Sequence, residues 1–335
     1  MALIYFRKAG VYVPANVLHR YILWLVGRAI KERELREIAI GLWSPELPST
    51  VPLKVDEALA TAYSMGLHRG WIRWDTDGSR RQIFDADRRK VCKVQKDGAL
   101  LTVIDEVELR KQLGGLSPRI FQIHESHMAY VEEWVSVVTP RTYSYHDLDR
   151  IRLALVEQLY RVEEWDVGSF INDRAVPFSD EARESIPELV SRMGLNSLPV
   201  SKVHGDLVQS NTSLTKGHKP VLYDWEYSRS CVVTHDVWFY LYHGLLCARA
   251  SVELSYFFDE LERITAWVLP KSVDLIALHL IHLYEREALL LWNVNIVDSS
   301  FALERLGESI KEARHLLSEK CIALGDVNCG ISYER

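Results

Sequence analysis

Two short apolar runs, each ending on acidic and amide side chains, constrain this chain more than any other feature. The first reads Val203-His204-Gly205-Asp206-Leu207-Val208-Gln209-Ser210-Asn211. The second reads Val221-Leu222-Tyr223-Asp224-Trp225-Glu226. Runs of this length and composition read as strands that end in loops. They deliver Asp206, Asn211 and Asp224 in close succession. One carboxylate can position a hydroxyl and take its proton. A second carboxylate and an amide oxygen are hard ligands that suit Mg²⁺, which keeps several waters and needs few protein ligands. These are the residue types that phosphoryl transfer requires.

The rest of the chain has to position that set. Its 335 residues, 48% hydrophobic and 26% charged, describe an ordinary globule able to bury a core without cross-links. A net charge of −6 gives no basic field for nucleic acid, so any anion site has to be built locally. The five cysteines are odd in number and none has CxxC spacing. That pattern argues against a disulfide framework or structural zinc, and for reduced thiols in a cytoplasmic protein. The apolar stretch at 21–26 is too short to span a bilayer, and neither a signal peptide nor a transmembrane segment is expected.

Residues 1–70 read as mostly helical, with helices at 17–34 and 56–65 and a proline-marked loop between them. From Gly70 the pattern changes. Strands are expected at 71–74, 82–86 and 90–94, then a helix at 103–113 stopped by Gly114-Gly115, then strands at 119–123 and 127–134. After Thr139-Pro140 helices are expected at 147–165, 180–193, 237–247, 252–268, 273–292 and 301–324. Only 201–203 and 221–223 read as strands there. The chain thus divides into a helical extension (1–70), a small sheet-rich lobe (71–135) and a larger helical lobe (136–335), with a cleft expected between the lobes.

The string HGDLxxxN, followed by an apolar run and Asp224-Trp225-Glu226, resembles the aminoglycoside phosphotransferase and choline kinase-like family over roughly residues 75–310. The resemblance implies an α+β, bilobal protein-kinase-like fold with a small β-rich N-lobe and a larger helical C-lobe, here preceded by the helical extension. It also implies an ATP-dependent kinase that moves the γ-phosphate of Mg·ATP to a hydroxyl of a small molecule or glycan, such as an amino sugar, a sugar or an amino alcohol. Carried over residue by residue, Asp206 is the catalytic base and His204 the structural residue of the catalytic loop. Asn211 and Asp224 become the Mg²⁺ ligands, and Asp236 braces the loop. Lys93, in Val91-Cys92-Lys93-Val94, reaches the phosphates. Glu106 on the next helix holds that lysine, with Glu108 as the rival. Backbone groups of Glu132, Glu133 and Trp134 bind the adenine. Gly78 and Ser79 stand where a glycine-rich phosphate loop belongs, a departure from the family pattern.

Aromatic and histidine residues at 240–243, 279–284 and 292 fall at near-helical spacing and read mainly as packing. Glu285 and Glu287 can attract a cationic acceptor or form a solvated face with Arg286. A non-catalytic kinase-like nucleotide- or partner-binding module is the alternative to a kinase. A kinase acting on proteins fits less well, because the chain has HGD and DWE in place of HRD and DFG.

Overall fold

The computed structural model describes residues 2–6, 11–14, 49–52, 61–62, 64–67, 71–74, 80–85, 88–95, 100–112, 116–135, 137–138, 162–173, 175–208, 211–215, 219–247, 254–266, 269, 273–292 and 299–324. Contacts group the chain into two units. One comprises Met1–Gln158 with Val208–Ser228, the other Leu159–Leu207 with Arg229–Arg335.

The first unit is built on an antiparallel sheet. Its strands are β1 (Ala2–Phe6), β2 (Val11–Pro14), β3 (Ser49–Pro52), β4 (Trp71–Trp74), β5 (Arg80–Asp85), β6 (Lys90–Gln95), β7 (Ile120–His124) and β8 (Ala129–Glu133). They lie in the order β3-β1-β2-β4-β5-β6-β8-β7. The three strands, one helix and two strands expected after Gly70 are present as β4, β5 and β6, helix α1 at Val103–Gln112, and β7 and β8. The helical reading of 1–70 is corrected at three places, 2–6, 11–14 and 49–52. Ile4-Tyr5-Phe6 and Val11-Tyr12-Val13 are β-branched and aromatic runs that favour a pleated surface. They face each other, Ile4 opposite Val13 and Tyr5 opposite Tyr12. β2 then pairs with β4, which continues the sheet into the first 70 residues. Of the two helices expected there, 17–34 lies outside the described residues; in the other, Thr61, Ala62 and Ser64 are helical.

β6 fixes the site in this unit. Val91, Cys92, Lys93 and Val94 are all buried, so both faces of the strand are covered. On one face Cys92 and Val94 pack with Ile83, Ala129 and Val131, and with Ala62, Met65 and Leu67. Each such aliphatic side chain contributes about 1.5–3 kcal/mol when fully buried. Burial also pushes the Cys92 thiol up to about 12, which keeps it unreactive. On the other face α1 lays Val103 and Val107 against Tyr130. Tyr130 stands opposite Lys93 in the β6–β8 ladder. Side chains alternate along a strand, so Lys93 sits on the α1 face. A second antiparallel sheet has β9 (Val137–Val138), β12 (Thr212–Thr215) and β13 (Pro220–Leu222) in the order β13-β12-β9.

In the second unit, β10 (Glu163–Asp166), β11 (Ser197–Val203) and β14 (Arg229–Val232) form an antiparallel sheet in the order β10-β11-β14. β10 corrects the far end of the helix expected at 147–165. Asp166 caps α2 (Val167–Asn172), accepting from the Ser169 N–H at 3.0 Å and the Ser169 hydroxyl at 2.8 Å. A capping residue is extended, so the chain before it is free to pair with β11. The remaining helices are α3 (Asp180–Arg192), α4 (His235–Cys247), α5 (Leu254–Thr265), α6 (Leu275–Trp292) and α7 (Ser299–Leu324). From Ala277 to Leu290, α6 is buried except at Arg286 and Glu287, as befits a central helix with apolar residues on most sides. Among the described residues no helix is long and apolar enough to cross a membrane.

Histidines stitch α4 to α6. The Trp238 indole N–H donates to His279 Nδ1 at 2.8 Å, and Trp238 stacks on Tyr242 with ring centroids 4.9 Å apart. Burial pushes His279 down to about 3, and it does the same to His235 against the opposing pull of Glu285. In the unfolded chain both protonate near the ordinary histidine value of about 6.5. The unfolded state therefore binds more protons between those limits, and stability falls as pH drops from about 6.5 towards 3. Each histidine contributes a slope of about 1.4 kcal/mol per pH unit. Urea melts at pH 7 and pH 5 should show that loss, and His279→Gln should flatten the slope.

Candidate active site

The residues singled out by the sequence fall into two groups, one in each unit. In the first unit, the Lys93 ammonium lies 2.7 Å from Asp224 Oδ1 and 3.3 Å from Glu132 Oε1. Burial alone would lower the Lys93 pKa, but Asp224 and then Glu132 hold it well above the usual lysine range. Glu106 does not hold Lys93. It pairs with Arg110 one turn along α1 at 3.3 Å and accepts the Tyr130 hydroxyl at 2.5 Å. Arg110 also pairs with Glu132 at 2.7 Å and donates to the Pro118 carbonyl at 2.6 Å. Glu132 therefore takes the place expected of Glu106, because it projects from the strand next to β6 while Arg110 competes for Glu106. Glu108, the rival, is exposed and pairs with Lys111.

Two cations, Lys93 and Arg110, thus face three carboxylates, Glu106, Glu132 and Asp224. Of the three, Asp224 is the carboxylate that reaches solvent, with its side chain 36% exposed against 1% and 4% for the others. Asp224 is also one of three non-glycine residues with positive φ among the described residues, at φ 55° and ψ 60°. Aspartate tolerates this left-handed conformation better than most residues, and such strain concentrates at functional sites. The Asn211 carbonyl accepts the Tyr223 N–H at 2.9 Å, tying the residue before Asp224 to Asn211. This backbone bond keeps Asn211 close to the Asp224 segment, and a carboxylate and a side-chain amide oxygen are donor types that suit Mg²⁺.

The expected adenine contacts are rearranged. The Glu132 side chain is buried in the ion network, and its strand is paired on both sides, opposite Val91 and Ile120. The Glu133 N–H donates to the Arg119 carbonyl and the Trp134 N–H to the Arg89 carbonyl, both at 2.8 Å. Those two donors are already engaged within the protein. Gly78 and Ser79 lie outside the described residues.

In the second unit, β11 ends at Val203 and the chain turns sharply through His204-Gly205-Asp206. Gly205 has φ +83°, which only glycine adopts without strain. Asp236, at the start of α4, accepts the His204 N–H at 2.6 Å and the Gly205 N–H at 2.9 Å. The buried Arg229 donates to the Gly205 carbonyl at 3.0 Å and stands 3.2 Å from His235 Nε2. Glu285 anchors that assembly, accepting from the Val232 N–H, His235 Nδ1 and His282 Nδ1 at 2.8–2.9 Å. Cys231, His235 and Glu285 place ligand-type atoms within 4.8 Å of one another. The His235 and Glu285 atoms already serve this hydrogen-bond network beside a guanidinium, so the cluster reads as bracing. His204 is fully buried, and its Nδ1 accepts the Asp206 N–H at 3.4 Å. The Asp206 carboxylate is half-buried, and Arg286 donates to its Oδ1 at 3.1 Å.

Sequence reasoning missed the Glu132 side chain, Arg110 and Arg286. For Glu132 a signal existed, since it lies two residues beyond Tyr130 and hence on the Lys93 face. Arg286 was read as part of a solvated helix face, and nothing along the chain set Arg110 apart from other helix arginines.

No family model and no curated protein matches the chain. Solved structures do. A choline/ethanolamine kinase family protein from Mesorhizobium loti matches with a TM-score of 0.52 at 13% identity, covering 77% of this chain and 92% of that one. Choline kinase LicA from Streptococcus pneumoniae matches with a TM-score of 0.52 at 15% identity, covering 76% and 97%. A LicA complex with AMP matches at a TM-score of 0.51 and 14% identity, covering 78% and 100%. The likeness is one of fold: the chain has the protein-kinase-like fold of choline kinase-like structures.

Removing Glu132 leaves two buried cations short of a partner. Glu132→Ala should destabilise the protein by about 3–5 kcal/mol, whereas Glu133→Ala at its exposed neighbour should stay within about 0.5 kcal/mol. Urea unfolding of the two variants checks this.

Proposed function

We propose that the protein is an ATP-dependent phosphotransferase that moves the γ-phosphate of Mg·ATP to a hydroxyl of a small molecule or glycan. The observation that carries the proposal is the Lys93–Asp224 pair at 2.7 Å, with Asn211 tied to the residue beside Asp224. Lys93 binds the phosphates as a buried, permanently charged cation. Asp224 and Asn211 would hold Mg²⁺, which when bound neutralises charge on the phosphates. Asp206 receives the proton of the acceptor hydroxyl as that oxygen bonds to the γ-phosphorus and the bond to the β-phosphate oxygen breaks. His204, Gly205, Asp236 and Arg229 hold the Asp206 loop in one conformation. The AMP complex of LicA supports nucleotide binding by this fold. The free, buried Cys92 and Cys231 thiols are consistent with a cytoplasmic location.

A second reading, a kinase-like module that binds without turnover, draws on the engaged N–H groups of Glu133 and Trp134. Asp206→Asn separates the two. A general base contributes about 10²–10⁴-fold, so the variant should lose turnover by that factor while its affinity for ATP stays within a few-fold of wild type. An ADP-formation assay with a hydroxylated acceptor and direct nucleotide titration read the two quantities. Undiminished turnover in Asp206→Asn would remove Asp206 from the mechanism, and a wild type with no turnover would favour the binding module.

A further inference from the structure

The two acidic residues that could have drawn a cationic acceptor to the second unit are both engaged within the protein, Glu285 fully buried and Glu287 half-buried. Glu285 is fully buried on His235, His282 and the Val232 N–H, and Glu287 accepts the Ser179 hydroxyl at 2.9 Å. The residue between them, Arg286, reaches Asp206 instead. Its guanidinium lies over the Phe239 ring, 4.2 Å from the centroid, and its side chain is 15% exposed. Stacking on an aromatic face fixes the plane of an arginine, so this positive charge is held in place beside the candidate base.

We infer that the acceptor is a hydroxyl compound carrying an anionic group, a phosphate or a carboxylate, and that Arg286 selects it. The inference rests on the phosphotransferase reading above. An acceptor that delivers its hydroxyl to Asp206 brings its own charge within a few ångströms of Arg286, inside the screening distance of about 8 Å at physiological salt. Arg286 offsets the attraction that Asp206 alone would offer a quaternary ammonium or aminoglycoside. A phosphate or carboxylate matches the planar fork of a guanidinium. Choline, named for the fold-sharing LicA structure, is a cation, so the acceptor inferred here is of the opposite charge.

The test compares wild type, Arg286→Gln and Arg286→Lys at saturating Mg·ATP, with glucose 6-phosphate, glucuronate, glucose, choline and kanamycin as acceptors. Wild type should prefer glucose 6-phosphate or glucuronate, and the order of those two identifies phosphate or carboxylate. Arg286→Gln should raise KM for the anionic acceptors by roughly 10–100-fold, the size of a charge-assisted hydrogen bond. Any change in kcat should be shared by all acceptors, and Arg286→Lys should retain the preference. Choline or kanamycin preferred by wild type, no preference between classes, or an unchanged KM in Arg286→Gln would overturn the inference. A melt with Mg·AMP-PNP keeps the two levels apart. A nucleotide shift with cationic acceptors preferred defeats only the acceptor assignment, whereas no nucleotide shift defeats the phosphotransferase reading beneath it.

Discussion

The buried ion network around Lys93 is the constraint on which the first unit depends. An unpaired ammonium in a strand covered on both faces would lose stabilisation from water without replacement. Glu132 and Asp224 prevent that by pairing with Lys93, while Arg110, itself bonded to Glu106 and Tyr130, pairs with Glu132 in turn. The network therefore ties helix to sheet while it holds the Lys93 ammonium beside the partly exposed Asp224. Replacing such a network with apolar residues is often neutral or stabilising.

The second unit solves a different problem with similar means. The turn at Gly205 points backbone N–H groups inward, where they need acceptors. Asp236 accepts two of them, Arg229 covers the Gly205 carbonyl, and Glu285 secures the histidines behind. A short loop is made rigid from beneath, so the Asp206 side chain is positioned by the strand and helix that flank it. This is the arrangement expected where geometry matters more than flexibility.

Much of this was legible before any coordinates. The run from His204 to Asn211 and the Asp224 segment were legible as candidates because phosphoryl transfer uses a carboxylate, an amide and a second carboxylate, and because the string resembles a known family. Strands and helices from Gly70 to Glu133 were readable because period-two and period-3.6 patterns are clear there. The first strands were not, since Ile4-Tyr5-Phe6 is too short to distinguish from a helical turn until its partner at 11–14 is known. Pairing partners are a tertiary fact. The same holds for Lys93, where proximity of Glu106 along the chain suggested a bond that Arg110 takes instead. Asp236 as a brace was legible from its place after the metal segment; Arg286 beside Asp206 was not, because it is 80 residues away.

The central claim is that Lys93, Asn211 and Asp224 form a metal-dependent nucleotide site. The most direct measurement is a thermal melt of wild type and Asp224→Ala, each with and without Mg·ATP and with ATP plus chelator. At about 100 times the dissociation constant, ligand should stabilise the native state by about 2.7 kcal/mol. The account predicts that upshift in wild type only when Mg²⁺ is present, and its loss in Asp224→Ala. An absent shift at millimolar Mg·ATP in a cooperatively melting wild type, or an equal shift in the variant, would contradict it.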